Sequence, residues 1–250
     1  GPAALGVYNV TYEFSNLPTT QIGAPINRAL LPGFAKLDES SALQSAYRNA
    51  MGMLAIVAIP AAAGIMAVAP YFIPVVLGSK WLDGVPLMEV LAISGAFLMF
   101  QASICSVLIA RGYPGTVTGA NAVFVVLLAC FLLLLAPKFG AEGAAYAALL
   151  TTTLTMPVYL MHLSRRVGVP VYAFMQAIMR PAIASCVMVF VVRAALPSYT
   201  TDMLPAAAIG WLSAGVLIGA ATYVIVIGLL WFVCRPSPGV EHLILGQLVS

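Results

Sequence analysis

Charge is what this chain has least of. Only 8% of its 250 residues are Asp, Glu, Lys or Arg, against about 25% in an average soluble domain. Eleven Lys and Arg with eight Asp and Glu cannot coat a soluble protein of this size. The net charge of +3 is too small and too scattered to point to nucleic acid. Cysteine is equally sparse: Cys105, Cys130, Cys186 and Cys234 form no CxxC pair, and each lies in an apolar run. Buried free thiols are expected, and a disulfide framework is not. Phosphate-binding GxxxxGK[ST], zinc-binding HExxH, nucleophile GxSxG and paired-carboxylate motifs are all missing. No enzyme, cofactor site or ATP-driven pump is therefore expected on this chain. His162 and His242 are too isolated to suggest a metal site. The chain opens on Gly rather than Met, and no basic segment precedes its first apolar run. That predicts a fragment or a processed chain without a signal peptide.

Hydrophobic residues are what remains, at 62%. Charge-free runs extend over Asn49–Ser79, Val90–Ala110, Gly112–Pro137, Gly143–Ser164 and Met203–Cys234, the shortest 21 residues long. About 20 apolar residues cross a bilayer core of about 30 Å, so each run can span. None alternates with period two, which argues against an outer-membrane barrel. Two further spans carry charge: one holds Glu13 and Arg28, the other Arg180 followed by Pro181.

The fold class expected is all-α, a polytopic membrane protein with a seven-helix transmembrane bundle over residues 1–234. The helices are placed at about 8–36, 41–69, 84–110, 115–136, 141–164, 171–196 and 206–234, with Gly and Pro in the connections. Residues 235–250 read as a cytoplasmic tail with an interfacial helix. Lys36, Arg48, Arg111, Arg165, Arg166 and Arg235 fall on one side, and Lys80, Lys138 and Arg193 on the other. The richer side should be cytoplasmic, which puts the amino end outside and the carboxyl end inside. An odd span count with a bare outer start suits half of a larger transporter.

Polar residues inside apolar helices are the candidates for function. At 100° per residue, Asn9, Glu13, Asn16, Thr20 and Asn27 fall near one line of the first helix, with Gly23 beside it. Lipid cannot satisfy such a line, so it faces water or protein. It reads as the wall of an aqueous cavity or as a set of interhelical hydrogen bonds. Pro18 and Pro25 should kink this helix. Glu13 and Arg28 are 15 residues apart, about 22 Å along the axis, too far to pair. Glu13 suits cavity polarity, proton coupling or an interfacial role. Arg28 suits an anion contact or a snorkelled anchor. Glu89 reads as an outer-interface carboxylate, Gln101 and Asn121 as interhelical amides. His162 with Arg165 and Arg166 reads as an interfacial cluster touching lipid headgroups.

Three stretches carry a resemblance. The first is Gly1-Pro-Ala-Ala-Leu-Gly-Val-Tyr-Asn9, continuing through Asn16-Leu-Pro18 and Pro25-Ile-Asn-Arg28 to Leu37. The second is Pro70-Tyr-Phe-Ile-Pro-Val-Val-Leu-Gly-Ser-Lys-Trp-Leu82, and the third is the turn Ala110-Arg-Gly-Tyr-Pro-Gly115. The chain resembles the carboxyl-terminal half of the polysaccharide exporters and Wzx-type O-antigen flippases, of the multidrug/oligosaccharidyl-lipid/polysaccharide exporter superfamily. The resemblance implies two bundles around a cavity that opens alternately to the two faces of the bacterial inner membrane. Its implied cargo is an undecaprenyl-diphosphate-linked oligosaccharide, an O-antigen or exopolysaccharide repeat unit. Arg28, Arg48 and Arg111 would then contact the diphosphate. Implied partners are membrane lipids, the amino-terminal bundle and polysaccharide polymerisation machinery. A drug/cation antiporter of the same superfamily and a non-transporting scaffold of a polysaccharide-assembly complex are the alternatives.

Overall fold

A computed structural model describes residues 2–35, 40–200 and 203–233. The expected interfacial helix at 235–250, with Arg235 and His242, lies outside the described residues. Among the described residues the structure is helical throughout, without strands.

The first helix is broken. It comprises α1 (Pro2–Ser15), a π-helical turn at Pro18–Gly23, and α2 (Ala24–Ala35). Pro18 has no N–H to donate, which disrupts the α ladder where the π turn begins. Next come α3 (Ser40–Val76), a 3-10 turn at Ser79–Gly84, and α4 (Val85–Ala110). α3 continues as helix through Pro60, Pro70 and Pro74. α5 (Pro114–Val167) is nominally one helix but contains Gly140 at φ 59° and ψ −130°. A positive φ excludes other residues sterically, so glycine permits a reversal here. The Asn121 Oδ1 accepts a bond of 2.7 Å from the Tyr159 hydroxyl, and these residues flank Gly140 symmetrically. α5 is thus an antiparallel hairpin, and Gly143 lies against the backbone of Leu135. Its arms, 114–139 and 141–167, are each about 40 Å long at 1.5 Å per residue, enough to cross. α6 (Val171–Ala195) and α7 (Pro205–Val233) complete the chain. With the first helix counted once and α5 twice, this is the seven-helix all-α bundle expected.

α4 is the hub. It packs on α1, α2, α3 and α5, while α3 also carries α6 and α7. The main core joins Leu43, Tyr47 and Leu54 of α3 to Ile104 and Leu108 of α4 and Leu163 of α5. A polar seam crosses this apolar interior. The Gln101 amide donates to the Thr152 carbonyl at 2.8 Å and to the Thr155 hydroxyl at 3.0 Å. Thr151 and Thr155 donate back to Ala147 and Thr151 carbonyls, each at 2.7 Å. Buried polar groups in a membrane bundle need such partners, because lipid supplies none. Gln101 and Asn121 are the interhelical amides expected.

The two ends of the bundle differ. At one end the Gln44 amide donates to the Gly168 carbonyl at 2.9 Å, and Arg166 lies 5.7 Å over the Tyr113 ring. At the other, Arg193 pairs with Glu89 at 2.7 Å, and the Tyr71 hydroxyl donates to the Pro197 carbonyl.

Candidate transport path

Exposed side chains distinguish the helices. On α7 they include Val216, Leu217, Ile225 and Phe232, and on the first arm of α5 Val125, Leu133 and Leu134, all apolar. These faces suit lipid. The exposed positions of the first helix are different in kind: Asn9, Glu13, Thr20, Gln21 and Arg28 stand among Leu5, Tyr12 and Leu17. The first-helix face is therefore mixed polar and apolar along its length, whereas α7 and the first arm of α5 expose mainly apolar side chains.

The line of five residues expected on that helix divides in two. Asn9, Glu13 and Thr20 are exposed, whereas Asn16 and Asn27 are buried. The π turn changes the angular step only after Pro18, so it bears on Asn27. Asn16 precedes it and is buried by its packing on α4. Asn16 lies against Gly95 of α4, where an added Cβ would come within 3.0 Å of its Oδ1. Thr19 donates to the Gly95 carbonyl at 2.9 Å. Gly95, like Gly23 against Met99, is thus a point of close approach between the broken helix and α4. Asn27 Oδ1 accepts a hydrogen bond from the Ser103 hydroxyl of α4. Asn27 and Thr19 thus bond the helix to α4. Asn16 packs on α4 while its amide donates to the Tyr12 carbonyl of its own helix at 3.0 Å, and Asn9, Glu13 and Thr20 are exposed.

Tyr8 and Tyr12 add an aromatic pair to the same helix, with ring centroids 6.1 Å apart and nearly parallel. The pair was not among the expected contacts, although its spacing of four residues in a helix is the signal for one.

The three arginines stand on three different helices. Arg28 is exposed in α2, Arg48 half-buried near the start of α3, and Arg111 half-buried as the C-cap of α4. Arg28 and Arg111 each engage a further partner. Glu89, expected only as an interfacial carboxylate, is instead half of the α4–α6 ion pair with Arg193, which also donates to the Met66 carbonyl of α3 at 3.4 Å. Residues 104 apart in sequence gave no local signal for that pairing. Among the described residues no group of three potential metal ligands occurs.

A concavity lies between α3, α4, the second arm of α5, and α6. It has a volume of about 1000 Å3. Its walls are apolar, from Phe97, Met156, Leu160, Phe174 and Ile178 among others, and Arg165 is the one charged residue among those lining it.

The fold is that of a multi-pass helical membrane protein. Residues 1–86 match the family model described as polysaccharide biosynthesis protein. Over 113 residues the chain is 38% identical to the teichuronic acid biosynthesis protein TuaB of Bacillus subtilis (strain 168), covering 45% of this chain and 23% of that one. It is 30% identical over 112 residues to the lipopolysaccharide biosynthesis protein WzxC of Escherichia coli (strain K12), covering 44% and 23%. It is 28% identical over 151 residues to an uncharacterized membrane protein in the cps region of Klebsiella pneumoniae, covering 60% and 31%. The matched segments thus span less than a third of the relatives' own lengths. In fold, the chain is similar to the lipid II flippase MurJ in an inward closed conformation, with a TM-score of 0.76 at 15% identity. That likeness covers 93% of this chain and 48% of MurJ. The resemblance to polysaccharide exporters and Wzx-type flippases is borne out, with the family match on residues 1–86.

Proposed function

We propose that this chain forms one half of an alternating-access exporter. Its cargo is an undecaprenyl-diphosphate-linked oligosaccharide, moved from the cytoplasmic to the periplasmic leaflet of the bacterial inner membrane. The polar exposed face of the first helix carries this reading. An exposed Glu13 carboxylate facing lipid would cost insertion energy, about 2.5–3.5 kcal/mol at mid-bilayer and less near a helix end. Facing a cavity shared with an amino-terminal bundle, it is hydrated. Asn9, Glu13 and Thr20 line that cavity, with Asn16 and Asn27 behind them as the hydrogen-bonded backing.

Arg28, Arg48 and Arg111 capture the diphosphate at the cytoplasmic end. A diphosphate carries at least two negative charges, and arginine offers a planar two-point fork to phosphate oxygens. The amino end of the chain is periplasmic and the carboxyl end cytoplasmic, as the loop cations favour. Transport needs no enzyme chemistry and no cofactor on this chain. Membrane lipids, the amino-terminal bundle and the polymerisation machinery are its partners.

The antiporter alternative needs an acidic site for a cation, for which Glu13 is the candidate. The apolar concavity offers Arg165 as its charge, which repels cations. Proteoliposomes holding the full transporter would decide among the readings. Lipid-linked oligosaccharide should change leaflet while a cationic dye does not. Dye movement alone would establish the antiporter, and movement of neither would leave the scaffold.

A further inference from the structure

The groove between the second arm of α5 and α6 is not used by the proposed cargo path. α5 and α6 are consecutive, yet they make little contact with each other, and α3 and α4 form the floor between them. In water such a gap would fill with solvent. In a bilayer its apolar walls are filled by hydrocarbon, since an unfilled void of this size forfeits dispersion contacts along its whole lining.

Its chemistry is asymmetric. Ser164, Arg165 and Val171 lie at one end, and Thr153 and Val189 lie deeper. From Arg165 to Thr153 is 12 residues along α5, about 18 Å of helix. One leaflet of a core about 30 Å thick is about 15 Å deep. Along α5 the groove is therefore about one leaflet deep, along α6 it continues from Val171 to Val189, about 27 Å, and a cation stands at its headgroup end. Arg165 is exposed and makes no ion pair or hydrogen bond among the described residues. Its neighbour Arg166 is turned onto the Tyr113 ring. The mouth thus presents one guanidinium, which suits one negative charge.

We infer that this groove is a binding site for a monoanionic glycerophospholipid of the surrounding bilayer, of the phosphatidylglycerol type. An acyl chain fills the space between α5 and α6, and the phosphodiester accepts the Arg165 fork. A diphosphate carrier, with at least twice the charge, fits this mouth less well than it fits the three-arginine end. The site is independent of which cargo the transporter moves.

Cys186 makes the inference testable without a reporter mutation, because this free thiol lines the groove and is exposed. Cys130, also free and exposed, lies on the first arm of α5, outside the groove. The full chain would be placed in nanodiscs of phosphatidylcholine, or of phosphatidylglycerol with the same acyl chains. Alkylation by an apolar maleimide would be followed at each cysteine by peptide mass spectrometry. Phosphatidylglycerol should slow Cys186 at least threefold and leave Cys130 unchanged. Arg165→Gln should abolish the difference, and Arg166→Gln should keep it. Equal Cys186 rates in the two lipids would overturn the proposal. So would protection that survives Arg165→Gln, or protection obtained only with a polyprenyl phosphate added to phosphatidylcholine. Should Arg165→Gln fail to accumulate, Ala182→Phe on the groove wall serves instead and should remove the lipid dependence by occupying the chain's place.

Discussion

Arg28 separates charge from geometry. Lysine retains the positive charge at this position and loses the fork. Arg28→Lys in the full transporter should lower surface polysaccharide severalfold at unchanged membrane abundance. Normal polysaccharide from Arg28→Gln at equal abundance would remove Arg28 from the path. The five polar residues of the first helix should divide functionally as they divide structurally. Cysteines at Asn9, Glu13 and Thr20 should react with a small polar thiol reagent, and those at Asn16 and Asn27 should be protected. Uniform reactivity at all five would mean that the buried pair is not packed on α4. Asn27→Leu removes the acceptor for Ser103, though Ser103 keeps its 3.2 Å bond to the Met99 carbonyl. The expected cost is about 1 kcal/mol, read as a lowered unfolding temperature in detergent, whereas Asn9→Leu should leave that temperature unchanged.

Single helices are governed by special backbone positions and by the pairs that tie them. Gly140 reverses α5 at φ 59°. A β-branched residue there would bear about 1–3 kcal/mol of backbone strain. Gly140→Val should reduce membrane abundance, while Gly119→Ala, at an open position of the same helix, should not. The Arg193–Glu89 bridge ties α6 to α4 with side chains 47% and 30% exposed. Exposed pairs contribute about 0.2–1 kcal/mol. A double-mutant cycle on Glu89→Gln and Arg193→Gln should therefore return a coupling in that range. A larger coupling would show the pair to be shielded from water in the assembled transporter.

Across the whole molecule, topology is the quantity to test. A cysteine at Ser198, between α6 and α7, should react with an impermeant reagent in intact cells. One at Ser45, exposed near the start of α3, should react only after permeabilisation. The reverse pattern would invert the orientation, and the three-arginine end could then not face cytoplasmic cargo.

The number of passes and their apolar surfaces were legible in the sequence, because bilayer thickness fixes how long an apolar run must be. The seven runs needed no tertiary information, and neither did Gln101 and Asn121, since an amide in mid-membrane must find a partner on another helix or arm. The division of the first-helix line could not be read. A π turn at Pro18–Gly23 shifts the phase of Asn27. Asn16, before the turn, is buried by where α4 packs, which periodicity does not carry. The Glu89–Arg193 bridge and the Arg165 groove were equally hidden. Both bring together helices whose adjacency arises only when α4 becomes the hub and α6 docks on α3. Local pattern determines which segments enter the membrane. Which polar groups meet there is decided by packing between helices far apart in the chain.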